Sequence, residues 1–472
     1  MLRASIIVVL LFALFAPAKA NELEKFIDAE MRTSSLPGIA WAVIHDGKVT
    51  TGANGHTIKG GTERVTGDTP FAIGSITKSF TALAVMQLLE ADKIELDQPV
   101  SRYIRVFRGK PAGSITVRQL LSHTSGFSTL QGNVSAPESE MLPDAISRRA
   151  AWYAQQEPAY EPGTRWEYSN ANYLILGHLV QSVSGMPYPR YIQSNIFEPL
   201  GMDRSYISGN GRHPTPAKGH TPWFGSMRPV AARQEQSGLG SAPQGGIVST
   251  ASDLGRYLRM MLNGEDDILS AAGKARMLAP ASDTSPGYGY GWMLNGEEQS
   301  AYHTGLTPGF EAIAAMIPGK RRGVLVLTNG VSGMGFAETV QLRYGTVARA
   351  LDLPHPTESG RGLRIMNFLA LALAPIVLVA SMAWAWAKRD ALREKRSSKL
   401  GLFSLWFPLI AMAGVAWVCV KLIPQLFGVP LVTLRLYQPD MALMLQATAL
   451  LGMMWAVARL ALAYSRRANP TG

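Results

Sequence analysis

Apolar residues follow three different rhythms along this chain. Nearly continuous short runs at Ala40–Ile44, Ala312–Ile317 and Gly323–Thr328 predict β-strands, and Pro318-Gly319-Lys320-Arg321-Arg322 between the last two predicts a hairpin connection. Apolar positions recurring every three or four residues predict helices over Ser75–Ala91, Asn172–Ser184 and Ala251–Leu262. Strands near both ends with helices between them imply an antiparallel sheet closed by distant parts of the chain, flanked by helices, plus a helical region. That is an α+β architecture rather than a series of βαβ units. No internal repeat is visible between residues 21 and 360.

The third rhythm belongs to the C-terminal part. A Pro/Ser/Gly-rich linker at Pro354–Gly362 is followed by three apolar segments, about Met366–Ala387, Leu402–Ile423 and Met441–Tyr464. Each is long enough to cross a bilayer as a helix, which predicts a three-helix transmembrane segment over residues 361–472. Between the first two lies Lys388–Lys399 with six basic residues, whereas the second connection has only Arg435 and the tail carries Arg466 and Arg467. The positive-inside rule places Lys388–Lys399 and the C-terminus in the cytoplasm. Lys421 and Arg459 lie toward the ends of their segments, where snorkelling to the interface is expected.

Residues 1–20 agree with that orientation. Arg3, the apolar Ser5–Phe15 and Ala18-Lys19-Ala20 read as a signal peptide, or as an uncleaved anchor. Either way the domain that follows, residues 21–360, is expected to be delivered across the membrane.

Charge and cysteine content then remove other classes. The net charge of +11 suggests nucleic acid until it is located: residues 361–472 hold 13 Lys/Arg against 3 Asp/Glu, and the rest of the chain is nearly balanced. The surplus sets topology rather than binding the phosphates of a nucleic acid, so no nucleic-acid partner is expected. Cys419, the only cysteine, excludes a disulfide framework and reads as membrane packing. The eight histidines show no H-E-x-x-H spacing and no G-x-S-x-G is present, which disfavours a zinc hydrolase and an α/β-hydrolase elbow.

Candidate chemistry centres on Ser75-Ile76-Thr77-Lys78, the only S-x-x-K in the chain. A serine hydroxyl needs a neighbouring base to become a nucleophile. Residues three apart share a helical face, so the Lys78 amine can reach the Ser75 hydroxyl, and burial would lower its pKa enough for it to act as that base. Alone, the pattern fits a solvated lysine on an amphipathic helix equally well. Tyr168-Ser169-Asn170, after the Pro162-Gly163 turn, adds a group able to exchange a proton and an amide able to hold a carbonyl. His303-Thr304-Gly305 lies before a strand, where a small residue lets substrate approach an edge with free N–H groups.

In this order the three motifs resemble the serine β-lactamase and penicillin-binding-protein superfamily, specifically its class C β-lactamase-like, esterase-like branch. The resemblance spans about residues 25–350. It includes Asp97-Gln98-Pro99-Val100, Ile115–Phe127 with Ser122-His123-Thr124-Ser125-Gly126, Gly245–Leu254 and His303–Phe310. It implies a β-lactamase/transpeptidase-like fold and an acyl-enzyme formed at Ser75, with no metal or organic cofactor. Lys78 and Tyr168 would share the proton transfers, Asn170 would orient substrate, and the Ser75 and Leu306 N–H groups would form the oxyanion hole. His123 reads as a turn residue without a catalytic role.

One residue departs from the pattern. β-Lactamases and DD-peptidases of this superfamily usually carry lysine where this chain has His303. Histidine is mostly neutral at pH 7, which points away from carboxylate-bearing substrates and toward esters or neutral amides. A purely structural hydrogen-bonding role for His303 stays open. The leading expectation is a serine hydrolase acting on an ester, amide or D-amino-acid peptide at the outer face of a bacterial inner membrane. The alternatives are a penicillin-binding protein or β-lactam sensor that is acylated at Ser75 and signals through the membrane helices, and a silent scaffold.

Overall fold

The computed structural model describes residues 22–134, 142–211, 213–231, 238–354 and 360–465. The signal-peptide segment, most of the Pro/Ser/Gly linker, and Arg466 and Arg467 lie outside the described residues. The chain divides into two compact units, Met1–Gly333 with Ala337–Ser359, and Met334–Phe336 with Gly360–Gly472.

The first unit is built on a six-stranded sheet: β1 (Gly38–His45), β2 (Lys48–Gly55), β3 (Met293–Asn295), β4 (Ser300–Thr307), β5 (Phe310–Ile317) and β6 (Arg322–Thr328). Their spatial order is β2-β1-β6-β5-β4-β3, with every neighbouring pair antiparallel. The first strand therefore lies beside the last, with Ile39 opposite Thr328 and Ile44 opposite Gly323.

Both faces of this sheet are covered, which is why β5 and β6 read as unbroken apolar runs rather than alternating ones. Ala40, Ala42, Ala312, Ala314, Leu325 and Leu327 face the larger core. Ile39, Trp41, Ile313, Ala315, Val324 and Val326 face a second layer with Ile27, Met31, Leu342, Val347 and Leu351. That layer is supplied by the helix over 22–34 and helix Val340–Leu351. The alanines on the inner face let helix Ala251–Leu262 pack close to the sheet. Pro318–Lys320 forms a 3-10 turn between β5 and β6, and Arg321 takes φ +50°. The observed ranges extend the three expected strands by a residue or two at some ends.

The helical region surrounds helix Thr77–Glu90, in which only Lys78 and Glu90 carry charge. Eleven of its fourteen residues are buried, so it is sheathed on all sides rather than half-exposed. Helix Asn170–Ser184 packs against it and ends on Gly185 in the left-handed region.

The second unit holds three long helical stretches, Arg361–Ala387, Lys399–Leu426 and Pro439–Tyr464, each long and apolar enough to cross a membrane. They start up to five residues before the segments expected from hydropathy. The middle stretch carries a π-helical turn at Val418–Leu422 that includes Cys419, which is buried, and Lys421, which is exposed. Arg459 points into the unit, donating to the Ser404 carbonyl at 3.3 Å and lying 4.9 Å from the centre of the Trp455 ring. Helix-to-helix contact thus accompanies, or replaces, the snorkelling expected for this residue.

Candidate active site

The site forms where the start of the buried helix meets the edge of β4. Residues 71–72 pair with the short strand Ile247–Ser249, and the Ile73 N–H donates to the Ile247 carbonyl at 3.0 Å. The chain then turns through Gly74–Ile76 and enters helix Thr77–Glu90. In place of an N-cap side chain, the Thr77 hydroxyl accepts from the Ile247 N–H at 3.1 Å, tying the helix start to that strand.

Two glycines permit the closest approach. Gly74 has φ +53°, and a Cβ added there would sit 2.5 Å from the Leu306 nitrogen. A Cβ on Gly305 would sit 1.9 Å from the Ile73 carbonyl oxygen. Both are far inside van der Waals contact, so only glycine lets the Ser75 turn press against β4. The Leu306 backbone is brought beside Ser75 by this packing, while its side chain stays largely exposed.

Lys78 has no exposed surface. Its Nζ lies 3.0 Å from Ser75 Oγ, 2.8 Å from Asn170 Oδ1 and 2.8 Å from the Gln244 carbonyl oxygen. Burial holds its pKa well below the ordinary lysine value. A neutral amine has two N–H donors and one lone pair. The two carbonyl-type oxygens can accept only, so they take both donors and leave the lone pair for the Ser75 hydroxyl.

Tyr168 completes the group. Its ring centre lies 4.9 Å from Lys78 Nζ, and its hydroxyl lies near Ser75. Burial raises the Tyr168 pKa, and the neighbouring Ser75 hydroxyl offsets part of that rise. Asn170 is held at both ends: its oxygen accepts from Lys78, and its Nδ2 donates to Asn133 Oδ1 at 2.8 Å. Its position on the first turn of helix Asn170–Ser184 fixes the amide beside Lys78.

His303 lies behind these groups, 1% exposed, with its ring 6.1 Å from that of Tyr168. The Thr304 carbonyl, 2.7 Å from Nδ1, accepts only, so Nδ1 carries the proton and Nε2 accepts from the Tyr288 hydroxyl at 3.3 Å. Burial first, then the proximity of Lys78, lowers its pKa to about 3, so the ring is neutral near pH 7. The Thr304 side chain falls on the other side of β4 from His303 by strand alternation and is half-buried.

Other residues enter that the motifs did not single out. His123, with φ +59° and 1% exposure, accepts at Nδ1 from the Ser169 N–H at 3.1 Å and from Asn172 Nδ2 at 2.9 Å. Its proton therefore sits on Nε2, which makes no hydrogen bond, and the ring meets Tyr288 edge-on at 4.8 Å. Burial lowers its pKa well below the ordinary value, with Lys78 and His303 adding to the effect. Gln244 contributes through its main-chain carbonyl, for which side-chain identity gives no signal. Asn133 and Tyr288 are visible only once the loops that carry them are placed, and Tyr173 only once helix Asn170–Ser184 is placed. Among the described residues no group of three or more His, Cys, Asp or Glu is placed to hold a metal ion.

With the Ser-x-x-Lys pair, the Tyr-x-Asn turn and the β4 edge assembled in one place, known proteins can be compared. The beta-lactamase family profile matches residues 23–345. The chain belongs to that family. Penicillin-binding protein 4 of Amycolatopsis lactamdurans is 30% identical over 332 residues, covering 66% of this chain and 85% of that protein. Protein flp of Staphylococcus aureus strain MRSA252 is 25% identical over 413 residues, covering 84% of this chain and 81% of that protein. Among solved structures, the octameric penicillin-binding protein homologue from Pyrococcus abyssi aligns with a TM-score of 0.58 at 28% identity, covering 71% of this chain and 78% of that one. The fold and the superfamily expected from the motifs are those found.

Proposed function

We propose that this protein is a membrane-anchored serine hydrolase that forms an acyl-enzyme at Ser75 on an uncharged ester, amide or D-amino-acid peptide. The observation that carries the reading is Lys78 Nζ, buried and held by the Asn170 and Gln244 oxygens 3.0 Å from Ser75 Oγ. The neutral amine takes the hydroxyl proton as Ser75 Oγ attacks the substrate carbonyl carbon. The Ser75 and Leu306 N–H groups stabilise the oxyanion. Tyr168, beside Ser75, passes the proton to the leaving group, and water then releases the acyl group along the same proton path. Asn170 keeps Lys78 aimed and has a second N–H to offer a substrate carbonyl.

Neutral His303 supports the uncharged-substrate reading, because no fixed cation stands at the third motif to attract a carboxylate. The three apolar helices support the anchor, and the basic Lys388–Lys399 segment supports a hydrolase unit on the extracytoplasmic side of a bacterial inner membrane. The test is intact-mass analysis of the protein and its Ser75→Ala variant with a fluorophosphonate, a penicillin and a p-nitrophenyl ester. Labelling that requires Ser75, with rapid ester turnover and no lasting penicillin adduct, is expected. A stable penicillin adduct would instead favour a penicillin-binding protein or sensor. Equal labelling of wild type and Ser75→Ala would overturn Ser75 as nucleophile.

A further inference from the structure

The segment joining the first two apolar helices is a folded cap, not an open loop. It holds helix Arg389–Glu394 and the 3-10 turn Lys395–Ser397. Leu392 plugs the cap into the helices, buried with Ala385, Leu405 and Ala463. Two of its six cations fasten it. Arg393 donates to Asp390 at 2.6 Å and to Ser465 Oγ at 2.9 Å, and Lys395 donates to Ser404 Oγ at 2.9 Å.

The other four cations, Lys388, Arg389, Arg396 and Lys399, are exposed. Asp390 is engaged by Arg393, and among the described residues none of these four forms an ion pair. Two are placed by aromatic rings: the Arg389 guanidinium lies 5.7 Å from the centre of Trp386, and that of Arg396 lies 5.6 Å from Tyr464. Trp386 is 64% exposed and Tyr464 49%, both at the ends of apolar helices, which is where such side chains mark the boundary between hydrocarbon and headgroups. Leu400, 79% exposed, adds an apolar contact beside them.

We propose that this cap is a binding site for the phosphate headgroup of an anionic glycerophospholipid, an inference that rests on the membrane-spanning reading above. Charge complementarity selects the phosphodiester. The exposed Trp386, Tyr464 and Leu400 select a lipid over free phosphate, because they offer an apolar surface to acyl chains at the same level. Because the cap is fastened from below, its cations are ordered before any lipid arrives, which reduces the entropy lost on binding.

The test uses the full chain, solubilised and exposed to an equimolar mixture of phosphatidylglycerol and phosphatidylcholine, with bound lipid read by native mass spectrometry. Wild type is expected to retain phosphatidylglycerol about tenfold or more over phosphatidylcholine, since each exposed cation adds to the attraction for an anionic headgroup. The K388Q/R389Q/R396Q/K399Q variant should fall close to parity while its ester hydrolysis is unchanged, which reports an intact fold. Millimolar inorganic phosphate should leave the bound lipid in place. Equal retention of the two lipids by wild type, undiminished preference in the variant, or displacement by phosphate would overturn the proposal. Carbonate extraction of membranes distinguishes the two levels, because a wild-type chain released by carbonate would overturn the membrane reading itself.

Discussion

The His123 ring lies 4.4 Å from the Tyr168 ring, tilted 34° to it, while its Nδ1 accepts the N–H of the very next residue, Ser169. One buried side chain thus fixes both the ring of Tyr168 and the backbone that carries Asn170. The left-handed backbone of His123 is also what turns its ring inward, and asparagine is among the few residues that tolerate it.

His123→Asn should therefore fold, keep an acceptor near Ser169, and lose the stacking surface. Its kcat for a p-nitrophenyl ester is expected to drop by about ten- to a hundredfold with a smaller change in KM, as for other displacements of a catalytic group by about an ångström. Unchanged kcat in a variant of native thermal stability would remove His123 from the positioning of Tyr168.

With Lys78 as the base, activity depends on pH in one direction. Its pKa is lowered by burial, so the rate should rise with pH through that lowered value and then level off. A rate that is flat from about pH 5 to 9 would count against lysine as the base. Lys78→Ala is expected to lower kcat by about three orders of magnitude or more, since the pair acts as a unit.

His303→Lys introduces a cation close to Lys78. Like charges disfavour each other, so the rising limb of the pH–rate profile should move to lower pH. In the same variant, substrates bearing a carboxylate should gain relative to neutral esters. Selectivity and profile both unchanged would show that position 303 does not face the substrate.

The buried histidines also predict acid sensitivity of the fold. His123 and His303 both have folded-state pKa values below the ordinary 6.5, that of His303 at about 3. As pH falls below 6.5 the unfolded chain takes up protons that the folded chain refuses, so stability declines through the window down to the folded pKa. For one such histidine the slope is about 1.4 kcal/mol per pH unit well inside that window. Thermal melts between pH 7 and about 4.5 should show the decline, and His303→Asn should make it shallower. Parallel melting curves for the variant and wild type would contradict the assignment.

Gly305→Ala tests the contact between β4 and the nucleophile turn. The new methyl would collide with the Ile73 carbonyl, pushing the Leu306 N–H away from Ser75. Loss of one oxyanion donor is expected to lower kcat by about a hundred- to a thousandfold, with KM less affected. Near-normal kcat would mean that the Leu306 N–H is not used.

The reading of the sequence went furthest where a residue type and its spacing carry the chemistry together. Ser75 and Lys78 sit three apart on one turn, and Ala251–Leu262 begins and ends where its apolar spacing does. The antiparallel closure of the sheet followed from strands at the two ends of the unit. Other features left little trace because they depend on partners far away in the chain. Helix Thr77–Glu90 reads as amphipathic, yet tertiary packing covers all its sides. Gln244 acts through a carbonyl that any residue would supply. His123 reads as a turn residue by resemblance to the family pattern, while the rings packed around it arrive from residues 168, 173 and 288. A neutral His303 is expected from histidine's ordinary pKa, but the burial that lowers that pKa to about 3 is not encoded in its own motif.

The pairing of β1 with β6 has a consequence for biogenesis. Strand β4, which carries Leu306, is held between β3 and β5, and β1 joins the sheet only when Ile39 meets Thr328. The first strand made must wait for the last, a long loop closure of the kind that slows folding. A chain still on the ribosome then has Ser75 and Lys78 in place along the sequence but no β4 beside them. Hydrolysis would begin only after the whole unit has emerged, so a partly made protein stays silent toward its own surroundings.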